Sequence, residues 1–494
     1  MTKMYELMAP QWEYVSDCYK GVIAIKSPEK MHVYLPKFPV EERTPTKEPQ
    51  YRLRAWAADY DNIFKSAIMS MVGVMGKIPA KVDFGDACQE VKDLDMWGNE
   101  HDDRLIGLKA RLNHAQALFG RYGLWLDVIT DSMGQHPQFV IKEFAAYQII
   151  DGDTFKSPSD GKKRLRWVKL DESKPVFNAQ KKEWEQGRRL RVLGLDEQYR
   201  YYSAELEGAD AETLWKSFDL QNPESFTHPN VKVYYPVFKG TPLDFIPFTI
   251  CNVDRLGIDE WQEPPFLDMA YSTINAYNAD SLYKQSMINH ATPTLVVLNA
   301  TLPENAALGG VIAVFCEEGT TRNADVRMME TNAGGLAELG RCAKAVKEEA
   351  MRRTIFGMLE SVGANTSGTA ITLRTAAGTA TISEIDRAGA RAIEEQLCYA
   401  AVWSGMTWEQ AGENISYEVD TSYMASQGTV QEFVQLMGAN MSMGQPFLSR
   451  QNLYGILQKL YPKTLTDWDI NELQKEEEGF AMPMPPMEMG ESEA

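Results

Sequence analysis

Residues 264–359 hold two long helical patterns separated by a shorter β-rich insert, and this arrangement limits the fold more than any other feature of the sequence. Pro264-Pro265 opens the first pattern, because a proline in the first helical turn removes only a donor that has no partner there, and Pro293 closes it. A helix running to Asn289 would measure about 39 Å at the α-helical rise. The second pattern runs from Ala333 to Leu359, again about 40 Å. Leu336, Leu339, Ala343, Val346, Ala350, Met351, Ile355 and Met358 give it one apolar stripe. Between them, Leu295-Val296-Val297-Leu298 and Val311-Ile312-Ala313-Val314-Phe315 read as strands, with turn chemistry at Gly309-Gly310. Antiparallel packing of two matched helices would project this β insert from the protein's end. A compact enzyme seldom needs such a stalk. A tube built from many subunits does, each helix pair serving as one stave.

The stretch 361–380 is small, polar and glycine-rich, with high backbone freedom. It leads into a helix expected over about 380–404, carrying Ile382, Ile385, Ala388, Ala392, Ile393 and Leu397 and ending at Gly405. Ser383 with Asp386 resembles a capping pair at its start, and Gly389 would permit a bend. Upstream, Tyr5, Met8, Trp12, Val15 and Tyr19 predict a helix, and prolines 28, 36, 39, 45 and 49 forbid a long helix in the next thirty or so residues. Further helices are expected over about 50–72 and 101–119. The second passes through Gly120-Arg121-Tyr122-Gly123 into the strand Leu124-Trp125-Leu126-Asp127-Val128. Residues 124–255 look mainly β, with short runs at 139–141, 147–150, 165–168 and 231–234. Two short helices near 433–437 and 453–457 precede an acidic, proline-rich tail from Asp467 whose composition favours disorder.

At 494 residues the chain has room for two or three domains, and its 44% hydrophobic and 24% charged content is that of a globular protein. No segment is long and apolar enough for a bilayer span, and the first residues lack a signal-peptide pattern. The expectation is a soluble chain that is not routed for secretion. Cys18, Cys88, Cys251, Cys316, Cys342 and Cys398 form no CxxC pair and read as reduced thiols. A net charge of −19 argues against gripping nucleic acid by broad phosphate neutralisation. It is compatible with a tunnel that keeps a sliding polymer mobile.

Enzyme chemistry is missing from the motifs. Gly161-Lys162-Lys163 lacks the first glycine and the hydroxyl residue of a phosphate loop, and neither a Gly-x-Ser-x-Gly elbow nor His-Glu-x-x-His occurs. His101-Asp102-Asp103 reads as a solvated acidic loop rather than a metal cluster, and Asp151-Gly152-Asp153 as a turn. Asp467 and Asp469 fall in the acidic tail. Lys181-Lys182 and Arg188-Arg189-Leu190-Arg191 beside Trp184 read as an exposed hairpin face in preference to a nucleic-acid patch. Neither catalytic residues, nor a cofactor, nor a metal site is expected.

Several weak motifs in a fixed order resemble the portal protein family of tailed bacteriophages over roughly residues 5–410. They are Met8-Ala9-Pro10-x-Trp12, Tyr34-Leu35-Pro36, Gly120-Arg121-Tyr122-Gly123 into Leu124-Trp125-Leu126-Asp127, and Ile246-Pro247-Phe248. The strongest block is Pro264-Pro265-Phe266-Leu267-Asp268-Met269-Ala270 through Asn275, Tyr277 and Ala279-Asp280 to Pro293-Thr294. Gly357-Met358-Leu359, Thr379-Ala380-Thr381 and Trp403 come next in order. The basic residues of the second stalk helix depart from the family, and the C-terminal portion matches poorly.

The resemblance implies an α+β portal fold with an α/β wing, a long-helix stem, a small β/α clip and a helical crown. It places a wing at 1–262, stem helices at 263–291 and 330–362, a clip at 292–329 and a tunnel loop at 363–379. A helix returning to the wing (380–412), a crown (413–466) and a disordered tail (467–494) complete the chain. Portal proteins form rings, usually homododecamers, at the unique capsid vertex of the virion, after assembly in the host cytoplasm. Double-stranded DNA is packaged and ejected through them, and they dock the terminase motor, capsid and scaffolding proteins, and head-completion or tail adaptor proteins, with no membrane involved. Asn365, Thr366, Ser367, Thr369, Thr372 and Arg374 are then the tunnel-loop residues. Arg341, Lys344 and Arg352 share roughly one side of the stem and would either face phosphate as basic belts or pair with Glu338, Glu348 and Glu349. Two other classes stay open: a head or adaptor protein without a DNA channel, and a metal-dependent DNA-processing enzyme using Asp151 and Asp153.

Overall fold

The computed structural model describes residues 3–421 except 39–47, 100, 102, 130–136, 157–160, 162, 179–181, 259, 261, 292–293, 299, 302–314, 317–324, 330–332 and 353–367. Met1–Val419 form one unit, and Asp420–Ala494 a second. The first unit is an α+β body with antiparallel sheets, the fold class expected from the sequence.

Helix α1 (Lys3–Lys20) buries Met8, Trp12, Val15 and Cys18, the helical spacing of its sequence. The single helix expected over 50–72 is instead two, α2 (Glu48–Ala57) and α3 (Ile63–Met75). Asn62 begins α3 by accepting a hydrogen bond from the Lys65 amide at 2.9 Å. Tyr60 reaches the Cys18 carbonyl at 2.9 Å, and the Asp59 amide donates to Asp280 at 2.7 Å. The Asp59 amide thus finds its partner outside the helix and the Tyr60 hydroxyl is held on α1, so the chain breaks where the apolar pattern alone predicts continuity.

Helix α4 (Leu105–Phe119) stops at Gly120, which takes a left-handed conformation (φ 83) open to glycine at little cost. The chain enters β2 (Arg121–Ile129) at once. β2 is the middle strand of a sheet ordered β13-β2-β3, with β3 Gln138–Ala145 and β13 Phe248–Asn252. Leu124, Trp125 and Leu126 are all fully buried, as a continuous apolar run predicts for a strand covered on both faces. A second sheet, ordered β10-β9-β8-β5-β4, comprises Val231–Tyr234, Tyr201–Glu207, Arg189–Leu195, Lys163–Asp171 and Ile149–Lys156. Asp151-Gly152-Asp153 therefore lies within β4 and is not a turn. Gly152 is needed there because a Cβ would come 2.2 Å from the Ile258 side chain. Strands β6 (Lys174–Asn178) and β7 (Glu183–Gly187) make the expected hairpin, and β11 (Val237–Phe238) with β12 (Thr241–Pro242) makes another. Helix α5 (Ala211–Ser217) covers the second sheet with Ala211 and Leu214.

Leaving aside the stalk helices α6 (Leu267–Ala291) and α7 (Ala333–Arg352), the body is completed by α8 (Gly368–Trp403), α9 (Trp408–Asn414) and β18 (Ser416–Glu418). The expected loop at 363–379 is helical from Gly368 onward. Ala370, Leu373, Ala376, Ala377 and Ala380 favour helix, and no proline intervenes. Gly378 costs only about 1 kcal/mol relative to Ala. Ser383 and Asp386 are thus interior to the helix, not a cap. Ile382, Ile385, Ile393, Leu397 and Trp403 are fully buried, and Gln396 donates to the Leu124 carbonyl at 3.2 Å and Thr249 Oγ1 at 2.9 Å. Beyond it, β18 pairs with β1 (Lys81–Asp83), so residues 413–419, expected in a crown, belong to the body. Residues 422–466 of the expected crown, and the tail, lie outside the described residues.

Trp403 packs against Phe139 and Tyr201 and donates Nε1 to the Thr241 carbonyl at 3.0 Å. Trp403→Ala should cost about 3–5 kcal/mol of unfolding free energy, read by urea denaturation. A loss under about 1 kcal/mol would contradict this account of the core.

Candidate functional site: a two-helix stalk with a β module

The stalk is rooted in the N-terminal helices. On α6, Leu267, Met269, Ala270, Ile274, Ala276 and Tyr277 are buried. Tyr277 donates to the Ala55 carbonyl at 3.4 Å, and Arg54 reaches Ser281 at 3.3 Å. Past Ser281 no described residue of α6 is buried. Strands β14 (Thr294–Leu298) and β17 (Asp325–Met329) then pair antiparallel, as do β15 (Ala300–Thr301) and β16 (Phe315–Cys316). The chain returns as α7.

Tyr283 meets Gly340 while Ala276, Tyr277 and Asp280 line one cleft with Ala343, Lys344 and Lys347, so the two helices run antiparallel. Gly340 permits this approach: a Cβ there would lie 3.0 Å from the Tyr283 ring. The cleft, about 220 Å³, is completed by Asp59 and Asp61 from the α2–α3 turn. Lys284 binds both Asp59 and Asp280, and Lys347 binds Asp61. The Lys284 hydrogen bond holds the Asp59 carboxyl below its usual 3.8. Burial of Lys284 opposes its charge, yet Asp59 and Asp280 together raise its pKa. This charged root escaped the sequence reading, because Asp59 and Asp61 meet lysines more than 200 positions away.

Helix α7 is covered on one side only. Leu339, Val346 and Met351 of its apolar stripe remain 40%, 37% and 42% exposed, and Ala350 is its one buried residue among those described. Arg341 and Arg352 are 11 positions apart and share a face, with Lys344 beside them. All three are exposed and pair along their own helix: Arg341 with Glu338 at 2.9 Å, Lys344 with Glu348 at 3.7 Å, Arg352 with Glu348 at 3.9 Å. Such pairs contribute little and break easily, so these cations are available to another partner. Of the six expected tunnel-loop residues, Asn365, Thr366 and Ser367 lie outside the described residues. Thr369, Thr372 and Arg374 stand on the α8 backbone, not in a loop.

The remaining sequence candidates resolve as structure. Arg189 and Arg191 are tied to Glu172 and Glu205, and Arg188 to Glu212, which neutralises the basic stretch. Asp151 and Asp153 each accept the next residue's amide at 2.9 Å. Asp103 binds Arg111, which also forks onto Glu143. Among the described residues, no group of three or more His, Cys, Asp or Glu side chains is placed to hold a metal, and no helix is long and apolar enough to cross a membrane.

No family model and no curated protein matches the chain. Among solved structures it is similar to a chain from the neck of an empty GTA particle with C6 symmetry, at 12% identity and a TM-score of 0.34, over 80% of this chain and 90% of that one. A chain from the neck of a native GTA particle with C12 symmetry gives 11% identity and a TM-score of 0.34, over 80% and 89%. Scores this low do not establish a common fold, and the functional reading rests on the stalk.

Two outcomes test the stalk. Gly340→Leu should separate α6 from α7, seen as faster amide exchange over 333–352 with the body unchanged; unaltered exchange would refute close packing at Tyr283. Because the folded pKa of Asp59 is depressed, its tie to Lys284 stabilises the root above pH 3.8 and weakens as pH falls through the lower folded value. Protection factors of the amides over 59–63, corrected for the pH dependence of intrinsic exchange, should therefore fall on acidification in the native chain but not in Asp59→Asn.

Proposed function

We propose that this protein is a portal-type subunit of a tailed phage, forming a ring at the capsid vertex through which DNA is packaged and ejected. The observation that carries this reading is the stalk, whose α7 leaves Leu339, Val346 and Met351 uncovered beside a row of cations. An amphipathic helix gains its stability by burying its apolar face, and stave-to-stave packing in a closed ring would cover that face. The order of motifs from Met8 to Trp403 supports the same assignment.

In this reading the β module at 292–329 docks the terminase motor during filling and head-completion or tail proteins afterwards. The motor supplies the ATP hydrolysis. Arg341, Lys344 and Arg352 exchange their glutamate partners for passing phosphates, each contact weak and salt-sensitive. Residues 363–379, with Asn365, Thr366, Ser367, Thr369, Thr372 and Arg374, narrow the channel without gripping DNA. Capsid and scaffolding proteins contact the wing.

Electron microscopy of the purified full-length protein tests the assignment. Two-dimensional averages should show a closed ring with a central hole. A ring without a hole would point to a head or adaptor protein instead, and Mg²⁺-dependent DNA cleavage lost in Asp151→Asn/Asp153→Asn would replace the proposal with an enzyme. Arg341→Glu with Lys344→Glu and Arg352→Glu should keep the ring and reduce packaged DNA severalfold, the loss deepening at low salt.

A further inference from the structure

Among the described residues, a buried polar seam joins α4 to α8, and none of the roles above uses it. Lys109, Asn113 and Gln116 sit at i, i+4 and i+7 on α4, a spacing that puts them on one face, and all three are buried. They meet Ile385, Asp386 and Gly389 of α8. Lys109 Nζ lies 2.8 Å from Asp386 Oδ1, with side chains 5% and 1% exposed. Asn113 donates to the same oxygen at 2.6 Å, and Gln116 Nε2 to the Ile385 carbonyl at 3.4 Å. Gly389 is the notch that admits Asn113, since a Cβ there would stand 2.4 Å from Asn113 Oδ1. Asp386 Oδ2, Asn113 Oδ1 and Gln116 Oε1 have no hydrogen-bond partner.

A seam built for stability alone would be apolar, because a buried ion pair repays its desolvation poorly. What it supplies here is position. The α8 surface is rich in small residues, with Ala388, Ala390, Ala392, Ala400 and Ala401 all buried. Such a face offers shallow ridges and tolerates sliding. A slip of one turn, about 5.4 Å, would take Asp386 from Lys109 and Asn113, leave Lys109 with the Met75 carbonyl at 3.5 Å, and drive Asn113 against a side chain.

We propose that the Lys109–Asp386 pair, with Asn113 seated at Gly389, is a register lock that fixes where α8 lies along α4. Its effect reaches beyond the core. Ala380 and Thr381 are exposed, and Ile382 is fully buried. Residues 368–381, about 21 Å of the same helix, continue N-terminal to the seam, so the lock sets where their backbone lies. Thr369, Thr372 and Arg374 travel with it. Lys109 and Asp386 are positioning residues in this sense, whether or not the protein forms a ring.

The test uses the full chain and the pair Lys109→Met/Asp386→Asn, which removes both charges, conserves volume and leaves Asn113 an acceptor. Either single change leaves a lone buried charge and should lower the thermal midpoint by several degrees. The double variant should melt close to the native protein, while α8 amides exchange at least about tenfold faster and those of β8 and β9 keep their native rates. Unchanged α8 exchange in the double variant would overturn the proposal. So would a double variant melting as low as the worse single, because the pair would then be a stabilising contact and not a register device. Ring formation, read by microscopy, is a separate outcome, so failure of the lock and failure of the portal reading are distinguishable.

Discussion

Helix α8 lies between the β13-β2-β3 sheet and α4, and the body depends on that sandwich. Its apolar face supplies Ile393, Leu397, Ala400 and Trp403 to the same core that Leu112, Trp125, Phe139 and Phe248 enter from the other elements. Gln396 bonds across to Leu124 and Thr249, joining the helix to two neighbouring strands. The segment after α8 is also drawn in: Trp408 of α9 packs on Phe245 and Tyr399, and β18 closes onto β1. An element contributed late in the chain thus holds strands contributed early. The N-terminal and C-terminal parts of 1–419 are for this reason one folding unit, with many contacts of large sequence separation.

The stalk is built on the opposite principle. Its root is anchored by buried α6 residues and a charged cluster around Asp59, Asp61, Lys284 and Lys347, while α7 has almost no burial of its own. The body encloses an extensive apolar core, whereas Ala350 is the one buried residue among those described on α7. That contrast is the physical reason to look for copies of the same chain around it, since a repeated helix pair offers each stave both an apolar flank and a neighbour to cover it.

Periodicity made much of this legible. The stalk helices, the strand after Gly120, the hairpin around Trp184 and the apolar stripe of α8 are all readable from spacing and turn residues. Two of the errors share one cause, distant polar partners, and the third is the continuation of a helix. Residues 50–72 carry a continuous helical pattern, yet the chain breaks at Asp59 because Asp280 and Cys18 bond to the turn from far along the sequence. Asp386 looked like a cap because acids favour helix starts, but its partner Lys109 lies 277 positions away and no local pattern announces it. Glycine and threonine at 368–379 suggested a loop, where weak local propensity yields to the continuation of a helix already nucleated by the core. Local chemistry is readable in sequence; long-range polar pairing is not.

The charge distribution finally separates two ways of handling a polyanion. A net charge of −19 argues against holding DNA by neutralising many phosphates. Its basic runs, moreover, are largely used up inside the body: Arg188, Arg189 and Arg191 on glutamates, Lys109 on Asp386, Lys169 on Glu212. Arg341, Lys344 and Arg352 of α7 differ in being exposed and paired with glutamates of their own helix. Partners of that kind are displaced at little cost, and each displaced glutamate stays nearby to repel the phosphate once it moves on. A row of such residues around a ring would give a shallow, repeating potential, attractive enough to centre a duplex and too weak to stop it.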